Sequence, residues 1–488
     1  MSMRRVLPLL VVLCAAASAQ TTISVPGDAP DLITAYALAG PEDTILVAPG
    51  TWVQPTVAIS TSVTIRGLGE PEDTVLVSAT GGSLFHVVGA SPSLILERLT
   101  ISGTSGVSAA VIVQDGALWA WRCRFENNLG LGFGGAVSAL ALNQDVSVEF
   151  ASCEFEANYA ALGGAVIGAQ SLTAGRQLWL TFESCILTGN ASGAGAALVH
   201  VDALGAVHCR FANSTVWLNA AGPGGVALTE VLAGSNVLYD LAVTNSIVRG
   251  NLPTALGALV VAGFGSTMTK SVSFSDVEGG EAGVGNFDLD PLFVDAGTGD
   301  FRLQPTSPCL DSGGWFPFAT FTDAGGESRL YGPGLDVGAT EFSPALRLRG
   351  SRLGLDAEFF AYSLVGPVFP LCGEGDFVQI LLQRNSPLVA NCPLALVGQI
   401  SLQGNRPPSP DGFPEVHVNP DVGMAPFILL PPELPATGPG VAATFPQFVD
   451  AIPFGLSGYE LVVQAFALTP AAPNGFFVAS DAYVLPVF

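Results

Sequence analysis

From Leu94 to Val248 apolar and polar residues alternate with a period of two, in short runs broken by Gly, Ser and Asn. Such runs predict short strands separated by bends. A motif recurs within the pattern: Cys123-Arg-Phe125-Glu-Asn-Asn128, Cys153-Glu-Phe155-Glu-Ala-Asn158, Cys185-Ile-Leu187-Thr-Gly-Asn190 and Cys209-Arg-Phe211-Ala-Asn-Ser214. It extends outward to Leu99-Thr-Ile101-Ser-Gly-Thr104 and Ser246-Ile-Val248-Arg-Gly-Asn251, with intervals of 24, 30, 32, 24 and 37 residues. Five residues before each anchor stand Leu94, Leu118, Val148, Leu180, Leu204 and Leu241, all apolar.

A single such unit cannot bury its apolar face, but stacked copies make a continuous core. Equivalent residues then lie about 4.8 Å apart on neighbouring coils. The expected fold is all-β: a parallel β-helix with a cysteine stack and an asparagine stack inside or at the bends. Side-chain amides can hydrogen-bond one another along such a ladder. The four anchor cysteines read as small apolar core residues, with adjacent-coil disulfides allowed by distance alone.

Composition fits this architecture. Of 488 residues only 12% are charged while 49% are hydrophobic, and there are 58 glycines. Ordinary soluble proteins carry roughly 25% charged residues. High hydrophobicity excludes disorder. A net charge of −24 with a single lysine, Lys270, argues against a nucleic-acid partner. Beyond the leader no stretch reaches the roughly 18 uninterrupted apolar residues of a membrane span. The leader reads as a signal peptide over residues 1–19: Arg4 and Arg5, an apolar stretch from Val6 to Ala17, and a small-residue cleavage site at Ala17-Ser18-Ala19. Export places the remaining cysteines in an oxidising compartment, and Cys372 with Cys392 form a candidate disulfide.

At this level the chain resembles secreted bacterial right-handed parallel β-helix proteins of the pectate-lyase-like superfamily. The segment from Thr22-Ile-Ser-Val25-Pro-Gly-Asp28 to Thr51-Trp52 looks like their N-terminal entry, with a short amphipathic helix near Pro30 to Ala39 capping the first coil. Asn286-Phe-Asp288-Leu-Asp290-Pro-Leu-Phe293-Val-Asp295, Asp300-Phe-Arg302 and Asp336-Val-Gly338-Ala-Thr-Glu341 are similar to the end of the group called choice-of-anchor Q. The resemblance spans about residues 20–343. It implies fold and export but no reaction, because this fold hosts lyases, hydrolases, esterases and adhesins. After Glu341 composition shifts to short apolar runs broken by Pro and Gly, including Phe377 to Leu382, Phe427 to Leu430 and Tyr459 to Ala465. These predict a C-terminal β-sandwich over 345–488.

Side-chain direction follows from the repeat. Positions four and six before an anchor point outward if those five and three before it point inward. Trp119 and Trp179 then face out two coils apart, with Glu149 on the coil between. Trp121, Glu183 and Glu97 share a bend position. Outward aromatic and carboxylate groups suit stacking on sugar rings and hydrogen bonding to their hydroxyls. Glu149 and Glu183 are also the candidate acid/base pair of an enzyme. Asp288, Asp290, Asp295 and Asp300 are candidate ligands for calcium, with turns held by Asx hydrogen bonds as the alternative. The aspartate cluster and catalytic base of pectate-lyase chemistry are not evident, nor is a Gly-His-Gly segment of the polygalacturonase type. The expected function is a secreted, non-catalytic protein that binds an extracellular polysaccharide or serves as an adhesive or structural element. The alternative is a carbohydrate-active enzyme, a polysaccharide lyase or glycoside hydrolase. Oligomeric state is open.

Overall fold

The alternating runs wind into a parallel β-solenoid. The computed structural model describes residues 21–342 except 255, 263, 315–321, 327–328 and 330–333, and then the strands between 346 and 486. The signal-peptide region and the Cys372–Cys392 pair lie outside the described residues. Three parallel sheets run along the solenoid, with ten, nine and eight strands. Each coil contributes one strand to each face, as in Ala117–Trp121, Arg124–Glu126 and Val137–Ala141. The helix Leu32–Leu38 follows the first strand, with Asp31 capping it through the Thr34 amide.

Every second residue points inward, so the interior is one stack of Val, Leu, Ile and Phe from Ile23 to Val277. Phe182 and Phe211 stack with centroids 4.7 Å apart, and Phe125 and Phe155 at 5.0 Å. Fully burying such a side chain contributes roughly 1.5–3 kcal/mol.

Two of the three bends in each coil are built on repeated residues. Between the ten- and nine-strand faces one residue takes left-handed backbone angles: Arg98, Arg122, Ser152, Ser184, Asn213, Asn245 and Phe274. The residue after it is the anchor. After the nine-strand face a buried asparagine ladder runs through Asn128, Asn158, Asn190, Asn219 and Asn251. Each side-chain oxygen accepts from the amide groups of the preceding coil, as Asn190 Oδ1 does from Asn158 N and Nδ2 at 3.1 and 2.9 Å.

The register of the fourth repeat differs from the expected one by five residues. Cys209 lies within the strand Val207–Ala212, directly between Leu180 and Leu241, at an inward core position. The anchor of that coil is Ser214, whose Oγ accepts from the Cys185 amide at 3.2 Å. The asparagine position is therefore Asn219, not Ser214, and the outer apolar position is filled by Cys209, not Leu204. The anchor series continues through Ser246 to Ser275. The five cysteines Cys123, Cys153, Cys185, Cys209 and Cys309 are buried free thiols. Burial pushes the Cys185 thiol up to about 12.

The described residues between 293 and 341 pack back over the later coils. The hairpin of Phe293–Asp295 and Asp300–Leu303 joins Cys309, Val337 and Ala339 against Ile186 and Ile247, outward residues of the nine-strand face. Beyond it, strands of the last region form two antiparallel sheets. They include Phe377–Arg384, Phe427–Glu433 and Tyr459–Leu468, which contain the three runs expected as strands.

Candidate functional site

The outward residues of the ten-strand face stand in columns because the strands are parallel and in register. One column runs Ser93, Ala117, Ser147, Trp179, His208, Asp240. The next runs Ile95, Trp119, Glu149, Thr181, Arg210. Trp119 and Trp179 are 51% and 45% exposed, so two large aromatic rings face solvent on either side of Ser147 and Glu149. The expected outward placement of Trp119, Trp179 and Glu149 is what the register produces.

The polar surroundings are specific. Ser147 Oγ donates to Glu149 Oε1 at 2.8 Å. The Trp179 and His208 rings stack at 3.8 Å with planes 11° apart. The Asp240 carboxylate lies 3.8 Å from His208 Nδ1. Trp121, half-buried at the bend, carries the Arg98 guanidinium over its ring at 5.4 Å. Glu97 at that bend pairs with Arg66.

Glu183 departs from expectation. It is only 2% exposed and leaves the surface patch. Its bend column is open at Glu97 and Trp121. At the coil of Cys185 the returning segment lies at this bend, where Arg329 Nε donates to the neighbouring Ser184 Oγ at 2.9 Å. An exposed acid/base pair of Glu149 and Glu183 is therefore not assembled. Sequence reasoning also missed His208 beside Trp179. The signal was present: counted from Ser214, His208 takes the same position as Trp179 counted from Cys185.

The aspartates expected as calcium ligands have other partners. Asp288 pairs with Arg249 at 2.8 Å and accepts from the Gly279 amide. Asp290 accepts from the Leu292 amide, Asp295 from Gly297, and Asp300 grips Arg302. Hydrogen bonds from Arg249 and Arg302 hold the Asp288 and Asp300 carboxyls below the usual range. Among the described residues no three His, Cys, Asp or Glu side chains converge to hold a metal.

A separate cleft of about 170 Å³ lies on the nine-strand face, lined by Glu70, Glu72, Arg122, Arg124, Ser152 and Glu154 together with Ala324 and Gly325 of the returning segment. Arg124 is ringed by Glu126 at 2.9 Å, Glu156 in close contact, and Glu72 and Glu154 at 3.8 and 3.9 Å. Partial desolvation raises the Glu154 carboxyl, whose side chain is still 39% exposed, against the pull of Arg124 and with a further push from Glu72.

These features define a parallel β-solenoid with an aromatic face and a second, acidic cleft. A solved pectate lyase, Pel9A, is similar over 67% of this chain and 97% of its own, at 12% identity and a TM-score of 0.28. No protein-family profile matches the chain. No curated protein matches it. Among the described residues no helix is long and apolar enough to cross a membrane.

Proposed function

We propose that the protein is a secreted, non-catalytic β-helix protein that binds an extracellular polysaccharide through the ten-strand face, with a C-terminal β-sandwich as an accessory module. The observation that carries this reading is the pair of exposed tryptophans flanking Ser147 and Glu149 on the ten-strand sheet. Indole rings stack on the apolar faces of sugars, while hydroxyl and carboxylate groups beside them fix orientation. A parallel sheet tied into a continuous core holds such groups without ordering cost at binding. Affinity electrophoresis across a glycan panel tests it. Retention of the native chain that Trp119→Ala with Trp179→Ala weakens supports binding there; unchanged mobility with every glycan defeats it.

The enzymatic alternative finds support in the cleft over Arg124. Glu154 lines it with Glu70 and Glu72, and carboxyl groups gathered in a cleft are the groups that general acid–base catalysis uses. Incubation with the same panel, read for new reducing ends and for ultraviolet absorbance of unsaturated products, decides between the two. Turnover lost in Glu154→Gln establishes the enzymatic reading.

A further inference from the structure

The ring geometry at Trp179 says more than exposure does, and the site it defines rests on the glycan-binding reading of this face. Trp179 and His208 are direct partners on adjacent parallel strands. Such partners are separated by about 4.8 Å along the solenoid axis. Their rings are stacked with centroids at 3.8 Å and nearly parallel planes. Carbon atoms of stacked rings cannot approach much closer than about 3.5 Å. Little lateral offset is left, so the line between the rings is close to the ring normal. The Trp179 indole therefore stands upright on the sheet, its faces aimed along the axis and not outward.

One of those faces is covered by His208. The other looks over Ser147, its partner on the preceding coil, and past it over Ala117. Both are small and half-exposed. Trp119 rises from the far side of the same strand: it is the partner of Glu149, two residues beyond Ser147. The strand Val146–Ala151 is thus flanked on one side by Trp179 and on the other, two residues along, by Trp119. Its outward residues Ser147 and Glu149 make a polar floor between two diagonally placed aromatic walls.

We infer that this floor is a crosswise glycan site: an uncharged polysaccharide lies along the strand Val146–Ala151, perpendicular to the solenoid axis, with one sugar against the free face of Trp179 and the next beside Trp119. A sugar stacked on an upright indole has its ring plane across the axis, and a chain joined through equatorial positions continues in that plane. The Glu149 carboxylate, held by the Ser147 hydroxyl, accepts hydrogen bonds from sugar hydroxyls. The same carboxylate, on a chain of net charge −24, disfavours uronate units. The nearby basic side chains do not offset this, since His208 lies behind the Trp179 wall, Arg210 beyond Thr181, and Arg98 over the Trp121 ring at the bend beyond the floor.

The test measures retention of the full chain by a neutral β-glucan, by xylan and by polygalacturonate, with thermal melting as the folding control. Expected are retention by a neutral glycan, none by polygalacturonate, and a loss of at least tenfold in affinity for both Trp179→Ala and Ser147→Phe. Ser147 points outward, so the larger ring fills the floor without entering the core; Ser147→Gln substitutes if Ser147→Phe lowers the melting temperature. Glu149→Gln should weaken neutral-glycan binding severalfold and relax the bias against polygalacturonate. If a neutral glycan binds and Trp179→Ala removes it while both Ser147 variants bind normally, the crosswise site is wrong and the broader face reading stands. Preferential binding of polygalacturonate overturns the uncharged class. Absence of binding to any glycan overturns both readings together.

Discussion

The two bends that flank the nine-strand face solve one problem in different ways. Both bury backbone groups where the chain changes direction, and such groups must find partners. After the nine-strand face the asparagine ladder solves this internally. Each amide donates forward to the next asparagine and back to a carbonyl of the preceding coil, as Asn158 Nδ2 does to Asn190 Oδ1 and to Phe125 O at 2.9 and 2.8 Å. The asparagine side chains bond directly to one another from Asn128 to Asn251, and that corner leaves Leu218 and Leu252 open to solvent. At the other bend the anchors after Leu99 are thiols and hydroxyls, which accept one amide from the preceding coil and donate to a carbonyl of their own coil, as Ser214 Oγ does from Cys185 N and to Ala212 O. The outer side of that bend is closed by the returning segment. Arg329 donates to Ser184 Oγ and to the carbonyls of Asn213, Gly338 and Ala339 at 2.7–2.9 Å. Gly314 and Asn245 exchange a further pair of bonds at 2.8 Å. One corner is self-sufficient, and the other depends on chain more than a hundred residues away in sequence.

The difference is sharpest for Arg329, whose side chain is fully buried. Arg329→Met should cost about 3–5 kcal/mol, because it strands Glu341 and several buried carbonyls. A fall in the denaturation midpoint with loss of amide protection at Ser184 and Asn213, but not at Asn190, is the expected pattern. Equal loss at both corners would show that they are not independent. Asn158→Ala should cost less, about 2–3 kcal/mol, since it removes one rung and leaves the Asn128 amides without an acceptor. Its effect should centre on the coils from Asn128 to Asn190 and leave the Arg329 corner protected.

Most of the architecture was legible because period-two alternation and a repeated anchor report directly on inward positions. The register slip came from Cys209. A cysteine serves equally as a bend residue and as a small core residue, so the match to Cys185 was chemical and not positional. The same slip hid Asn219 and separated His208 from Trp179. The burial of Glu183 was less legible, since the returning segment meets that bend through Arg329, which no local pattern ties to Ser184. An indirect sign did exist: outward residues of the nine-strand face change from Arg124, Glu126, Glu154 and Glu156 to Ile186, Trp217 and Ile247, as a face does when something covers it. The two cysteines now separate by experiment. Cys185→Ser places at an anchor the residue that Ser214, Ser246 and Ser275 already supply, and should cost less than about 1 kcal/mol. Cys209→Ser puts a hydroxyl between Leu180 and Leu241 and should cost about 1–2 kcal/mol. Thermal melts of the two variants measure the difference, and a reversed order would restore Cys209 as the anchor.

The corners should also part with pH. The asparagine ladder has no titratable side chain. The Arg329 corner holds Glu341 3.8 Å from the guanidinium with Asp336 nearby, while Asp323 accepts from the Glu341 amide at 3.0 Å and Asp336 from the Asp311 amide at 2.8 Å. Burial pushes the Asp336 carboxyl up to about 7, despite hydrogen bonds from the Asp311 and Phe342 amides. Burial and the neighbouring Asp336 raise Glu341 as well. In the unfolded chain an aspartate titrates near 3.9. A group raised on folding contributes its full stabilisation below about pH 4 and loses it as pH climbs through the folded value. Raising pH from 6 to 8 should therefore weaken this corner by about 1 kcal/mol from Asp336 alone. Hydrogen exchange at Ser184 and Asn213, corrected for intrinsic rates, should quicken roughly five- to tenfold over that range. Exchange at Asn158 and Asn190 should hold steady. Asp336→Asn should flatten the dependence. A response that survives this variant would place the titrating group elsewhere and remove the carboxyl cluster as the reason the two corners differ.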